Sequence, residues 1–350
     1  MIMTQTDDSR QRPIALVLGA TGGIGGALAA KLVERGYEVR ALHRSAAEMQ
    51  GKVPQYDWVQ GDAMNRADVV AAAEGVELIA HAVNPPGYRN WGELVLPMID
   101  NTIAAAKASG ARIVMPGTVY NFGPDAFPVL EESSPQNPVT RKGKIRVQLE
   151  ERLEAASGEG VPVLIVRAGD FFGPGAGNTW FAQGIVKPGK PLSSITNPGI
   201  RGVGHQWAYL PDVAETMVQL IEQPDRIPRF ARFHMDGFYD PDGRQMAEVI
   251  RRVSGKPDLK TKAFPWWLAS LASPFVPIFR ELLEMRYLWN LPLRMTNRRL
   301  VSFLGAEPHT PIDEAMRATL ASLGCLEATI DPHADSGRLA RRAAMHESAS

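Results

Sequence analysis

Short apolar runs alternate with amphipathic stretches along the first half of the chain. Ile14-Ala15-Leu16-Val17-Leu18 is wholly apolar and ends in glycine, as expected of a strand buried on both faces of a parallel sheet. Residues 24–35 follow with Ile24, Leu28, Leu32 and Val33 on one helical face, and Gly36 closes that helix. The same alternation predicts strands over 37–42, 58–62, 77–82, 112–115 and 163–167, and helices over 67–74, 94–109 and 143–156. Strands and helices in that order imply an α/β fold: a Rossmann-type doubly wound parallel sheet covered on both sides.

Beyond Asp170 the regularity fails. Glycine and proline cluster over 172–204, which predicts loops and a lobe set beside the sheet. A helix starts at Leu210-Pro211, with Asp212 as its N-cap, and runs to about 223. Residues 264–294 are apolar and aromatic, and Pro265, Pro274, Pro277 and Pro292 break them into short helices. Ordinary lobe core is the default for these aromatics; a dimer face or a membrane surface are the alternatives. The pattern therefore divides the chain into a dinucleotide-binding domain over 12–170, with 205–235 returning to it. A smaller C-terminal substrate lobe takes 171–204 and 236–330, and 331–350 forms a flexible polar tail.

Composition narrows the function classes. Apolar residues are 45% of 350, enough for a sizeable core, and the formal net charge is zero with no basic run before the extreme C-terminus. No nucleic-acid partner is expected. The single cysteine, Cys325, excludes an internal disulfide and a cysteine metal cluster, and no histidine or glutamate pair has metal-ligand spacing. The start of the sequence lacks the order of a signal peptide, and no apolar run reaches the length of a membrane span. A cytoplasmic protein without membrane association is the expectation.

The chemistry begins at Gly19-Ala20-Thr21-Gly22-Gly23-Ile24-Gly25, between the first strand and first helix. Glycines here let the chain turn off the strand, let backbone approach a pyrophosphate, and let the helix lie close to the sheet. The helix N-terminus then holds the phosphates. After the second strand stand His43 and Arg44, with Arg40 nearby, where an NAD site usually places a carboxylate for the ribose 2′-hydroxyl. Arginine binds a 2′-phosphate in a charge-assisted fork. NADP(H) is therefore preferred, with NAD(H) the other candidate. Asp62 after the third strand suits either a bond to the adenine amino group or a turn cap before Asn65. Ala63, Ala82 and Asn84, at neighbouring strand ends, complete the expected cofactor contacts; His81, inside its strand, reads as a core histidine.

These residues carry a resemblance. The glycine turn, Gly61-Asp62, Thr118-Val119-Tyr120, the run from Arg167 to Pro174 and Tyr209-Leu210-Pro211-Asp212-Val213-Ala214 occur in the order found in extended short-chain dehydrogenases/reductases of the NAD-dependent epimerase/dehydratase type, which the chain resembles. The resemblance implies hydride transfer at a carbinol or carbonyl carbon of a small molecule, often a nucleotide sugar, and a homodimer. It also implies a Tyr-x-x-x-Lys pair and a Ser/Thr. Here Lys142 stands for the tyrosine, Arg146 for the lysine and Pro116 for the Ser/Thr, with Thr118 the nearest hydroxyl. Lys142, Arg146 and Thr118 are thus the expected catalytic set of an NAD(P)-dependent oxidoreductase or epimerase; the alternative is a non-catalytic NADP(H)-sensing protein.

Overall fold

The computed structural model describes residues 12–85 and 90–326. The proposed tail over 331–350 lies outside them. The first half runs β1 (Ile14–Leu18), α1 (Gly23–Glu34), β2 (Glu38–His43), α2 (Ala46–Lys52), β3 (Asp57–Gln60), α3 (Arg66–Ala72), β4 (Leu78–His81), α4 (Trp91–Ser109), β5 (Arg112–Gly117), β6 (Val129–Leu130), α5 (Arg141–Gly158) and β7 (Val163–Arg167). The second half runs β8 (Asp170–Phe172), β9 (Ile195–Asn197), β10 (His205–Tyr209), α6 (Leu210–Ile221), β11 (Phe230–His234), β12 (Phe238–Asp240), α7 (Gln245–Ser254), β13 (Thr261–Ala263), α8 (Trp266–Ala272), α9 (Pro277–Glu284), α10 (Tyr287–Asn290), β14 (Arg294–Met295), α11 (Arg298–Leu304) and α12 (Ile312–Ser322).

Seven strands form one parallel sheet in the order β11-β7-β5-β4-β1-β2-β3. The central strands β1, β4, β5 and β7 are buried on both faces, which is why they read as largely apolar runs. On one face Leu28 and Leu32 of α1 pack with Val213, Met217 and Leu220 of α6. On the other, Ile99 and Ala106 of α4 pack with Leu149 and Leu153 of α5. The strand order reverses direction between β1 and β4, so the ends of those two strands open a crevice, the usual ligand site of such sheets.

The smaller lobe is built on a three-stranded sheet, β12-β10-β8, and two strand pairs, β13–β9 and β14–β6. Its core gathers Phe172, Trp180, Phe181, Trp207, Ile250, Trp289 and Met316. Here the structure differs from the expected division: β10 belongs to the lobe sheet, and within 205–235 only α6 and β11 return to the main sheet. Asp212 also differs. It lies in the first turn of α6, whose N-cap is Tyr209, and its carboxylate instead accepts from the amide (2.8 Å) and hydroxyl (2.6 Å) of Thr310. Helix α2 went unpredicted because it buries only Ala46 and so has no apolar stripe.

Candidate active site

The β1–α1 turn has the shape its glycines require. Gly19 has φ +93°, a left-handed conformation that a side chain resists. A Cβ on Gly25 would come within 2.1 Å of the Gly19 carbonyl oxygen, so only glycine lets α1 approach the turn this closely. Helix α1 begins at Gly22 with no side-chain cap. Its leading N–H groups are therefore left for a bound anion, as a pyrophosphate requires.

From this turn a cavity of about 600 Å³ extends in two directions, a size within the range of ligand sites. One arm is lined by His43, Arg44, Asp62 and Ala63, beyond the ends of β2 and β3. His43 Nδ1 accepts the Ser45 amide (3.0 Å), which fixes the turn that carries Arg44. The Arg44 side chain is exposed, and its carbonyl, not its guanidinium, binds Gln60. Arg40 does not join it: its guanidinium is tied to the carbonyls of Ala72 and Glu74 and to Asp57 at the sheet edge. Asp62 keeps its turn role, since Oδ1 accepts the Met64 amide at 3.0 Å, and it also lines the cavity.

The other arm is walled by Ala82, Asn84, Trp91, Pro116, Thr118, Tyr120 and Arg146 from the nucleotide domain, and by Asn178, Thr179 and Trp180 from the lobe. Thr118 caps a short turn, accepting the Tyr120 amide and donating to Asn121 Oδ1, both at 3.3 Å. Arg146 spans the wall: its guanidinium donates to Asn84 (3.2 Å) and lies 4.9 Å from the Trp91 ring centre. Arg167 stands behind Thr118, fully buried, and donates to the Thr118 carbonyl and to both oxygens of buried Glu150 (2.7 and 2.8 Å). Asp170 lines the cavity and binds His205 at 2.8 Å.

Lys142 departs from expectation. It is fully buried, but it is not part of the cavity wall. Its ammonium pairs with Glu281 and with Glu284 (2.7 Å) on α9, and Glu284 also accepts the Lys142 amide at 3.0 Å. A charge this far from water needs such partners, and they hold it as a structural tie between α5 and α9 rather than as an acid facing substrate. Arg201 is exposed and apart from the cavity. Trp91 and Asp170 were not singled out from the sequence. Trp91 opens the helix after β4, where the strand-end rule could have drawn attention to it.

His81 is a satisfied core histidine. The Thr102 hydroxyl gives its proton to the Met98 carbonyl (3.1 Å), so it accepts from His81 Nδ1 (2.8 Å). Burial, assisted by the Arg146 charge, pushes the His81 pKa down to about 3, and burial holds His234 well below its usual value. Both stay neutral when folded but protonate near 6.5 when unfolded. Stability is then complete above that value and falls as the pH drops below it. For His81 this amounts to about 1.4 kcal/mol per pH unit, so its share of the difference between urea titrations at pH 7 and 5 is about 2 kcal/mol, and His234 acts in the same direction. His81→Gln should remove that share; an unchanged pH slope in this variant would contradict the assignment.

Known proteins share this fold. The model of the NAD dependent epimerase/dehydratase family matches residues 15–235. The chain belongs to this family. Members similar to it include the dTDP-6-deoxy-L-talose 4-dehydrogenase (NAD(P)(+)) of Kitasatospora kifunensis, 34% identical over 45% of this chain and 52% of that one. A 3-diazoavenalumate denitrifying reductase of a Streptomyces species is 31% identical over 46% of this chain and 57% of that one. The chain thus spans about half the length of these curated relatives. UDP-glucuronic acid 4-epimerase from Bacillus cereus, solved with NAD, superposes with a TM-score of 0.69 at 14% identity, over 89% of this chain and 96% of that one. The epimerase/dehydratase fold is therefore that of this chain, and an NAD(P) cofactor is typical of its family.

Proposed function

We propose that the protein is an NADP(H)-dependent oxidoreductase acting at a carbinol or carbonyl carbon of a small molecule, with an altered catalytic set. The supporting observation is the single cavity that joins the phosphate turn and Arg44 at one end to Thr118, Arg146 and Trp180 at the other. The bound nicotinamide supplies or takes the hydride. Arg44, exposed at the end of β2, binds the 2′-phosphate, and the turn from Gly19 to Gly25 holds the pyrophosphate. Gly22, Gly23, Thr21 and Ile24 frame that turn, while Asp62, Ala63, Ala82 and Asn84 border the remaining cofactor path.

Arg146 provides a fixed positive charge where the substrate oxygen gains negative character on reduction. Thr118, held to Asn121 by a long bond, turns its hydroxyl to that oxygen, passes it a proton and is replenished from solvent. The relative named as a 4-dehydrogenase acts on a substrate of this carbinol type.

Titration with NADPH and NADH tests the cofactor half. Arg44→Ala should weaken NADPH about 10–100-fold, the worth of a charge-assisted contact, and leave NADH unchanged; tighter NADH binding in the native protein would overturn it. For the chemistry, a panel of carbonyl compounds and nucleotide sugars is followed at the NADPH absorbance. Thr118→Val should lower kcat about 100-fold with the cofactor affinity kept. Tight NADPH binding with no turnover across the panel would favour the sensing function instead.

A further inference from the structure

Part of the aromatic segment does not behave as lobe core. Trp266 packs inward, 6.0 Å from the cavity-wall residue Trp180, and its indole donates to the Pro198 carbonyl at 2.8 Å. Its neighbour Trp267 is 72% exposed, Leu271 68% and Phe275 85%, and Leu268 and Val276 are exposed beside them. Trp267, Leu268 and Leu271 share one face of α8, opposite buried Ala269. Among the described residues, no helix is long and apolar enough to cross a membrane. A contiguous apolar surface on a folded protein marks a contact site.

The charges around it select the partner. Lys260, Lys262 and Arg280 are exposed and flank this surface in sequence, with exposed Asp258 just before them, while the Arg286 guanidinium lies 5.3 Å from the ring centre of the inward Trp266. Between 259 and 290 the carboxylates are Glu281 and Glu284, and both are taken by Lys142. A second copy of the chain placed face to face here would bring three cations against three. An anionic lipid surface takes the apolar side chains and the cations together.

We propose that α8 and the α8–α9 turn dock the protein on an anionic lipid bilayer surface, beside the lobe wall of the cavity. This is independent of the reaction assigned above. It revises the expectation of no membrane association.

Full-length protein mixed with phosphatidylcholine vesicles, with and without phosphatidylglycerol, tests it by flotation. Binding should be about tenfold tighter with the anionic lipid and should weaken with salt. Leu271→Asp combined with Phe275→Asp should abolish it, and Lys262→Gln combined with Arg280→Gln should remove the anionic preference. Urea midpoint and NADPH affinity, measured in parallel, should stay at native values. If the aspartate variant does not fold, the charge variant decides. The idea fails if the native protein does not float with either vesicle, or if neither variant weakens flotation. It also fails if the native protein is a dimer that the aspartate variant dissociates without any vesicle binding by the native form.

Discussion

Glu150→Ala should cost about 3–5 kcal/mol of folding stability, the typical result of removing one member of a buried ion pair. Glu150 and Arg167 are nearly inaccessible, their side chains 2% and 1% exposed. The carboxylate does more than pair with Arg167: it also accepts from Asn121 (2.9 Å) and lies 3.3 Å from Arg232. Without it, the Arg167 guanidinium keeps only neutral partners, the Thr118 carbonyl and His234. Desolvation of an uncompensated charge then dominates, because Coulomb attraction no longer offsets it. Replacing both members, Glu150→Leu with Arg167→Met, should cost less than the sum of the single changes, since neither charge is left alone. Urea unfolding of the four proteins in the cycle measures this. A loss below about 1 kcal/mol for Glu150→Ala, the range of surface pairs, would show the network to be dispensable. Because Asn121 receives the Thr118 hydroxyl, the alanine variant should also lose turnover before it loses NADPH affinity.

Gly25→Ala should weaken NADPH about 10–100-fold and cost about 1–3 kcal/mol of stability, the scale of overpacking. The added methyl meets not a flexible side chain but the Gly19 backbone, at 2.1 Å from oxygen and 2.7 Å from carbon. Either α1 moves off the sheet or the turn opens, and both displace the N–H groups that hold the phosphates. Gly51→Ala is the control: a Cβ there meets nothing within 4 Å, the site is helical, and stability should hold or rise slightly. Isothermal titration of both variants would show the difference; equal NADPH affinities would sink the argument.

These two sites differ in how visible they were beforehand. The glycine turn is local. Strand, turn and helix are consecutive, so its residues could be read directly from their order. The strand runs were visible for a similar reason, as both their faces are apolar. Lys142 was not visible in this way. Its position matched a catalytic slot, but its environment is set by Glu281 and Glu284, about 140 residues later. Nothing in its neighbourhood announces that pairing. The aromatic segment gave a mixed result because composition shows how much apolar surface exists, not which face meets the lobe. Trp266 and Trp267 are neighbours of one residue type, yet one packs against the lobe and the other is exposed. Asp212 is no cap because the helix already starts at Leu210, two residues earlier; its carboxylate binds Thr310 instead, a contact that only the folded chain creates.

The Lys142 tie has one more consequence. It fastens the start of α5, a helix of the nucleotide domain, to α9 of the lobe, and strand β14 pairs with β6 across the same divide. Detaching the lobe would take both carboxylates away from the Lys142 ammonium and bare the edge of β6. The two parts should therefore melt in one transition, and a chain cut at their sequence boundary should unfold at lower urea than the whole protein.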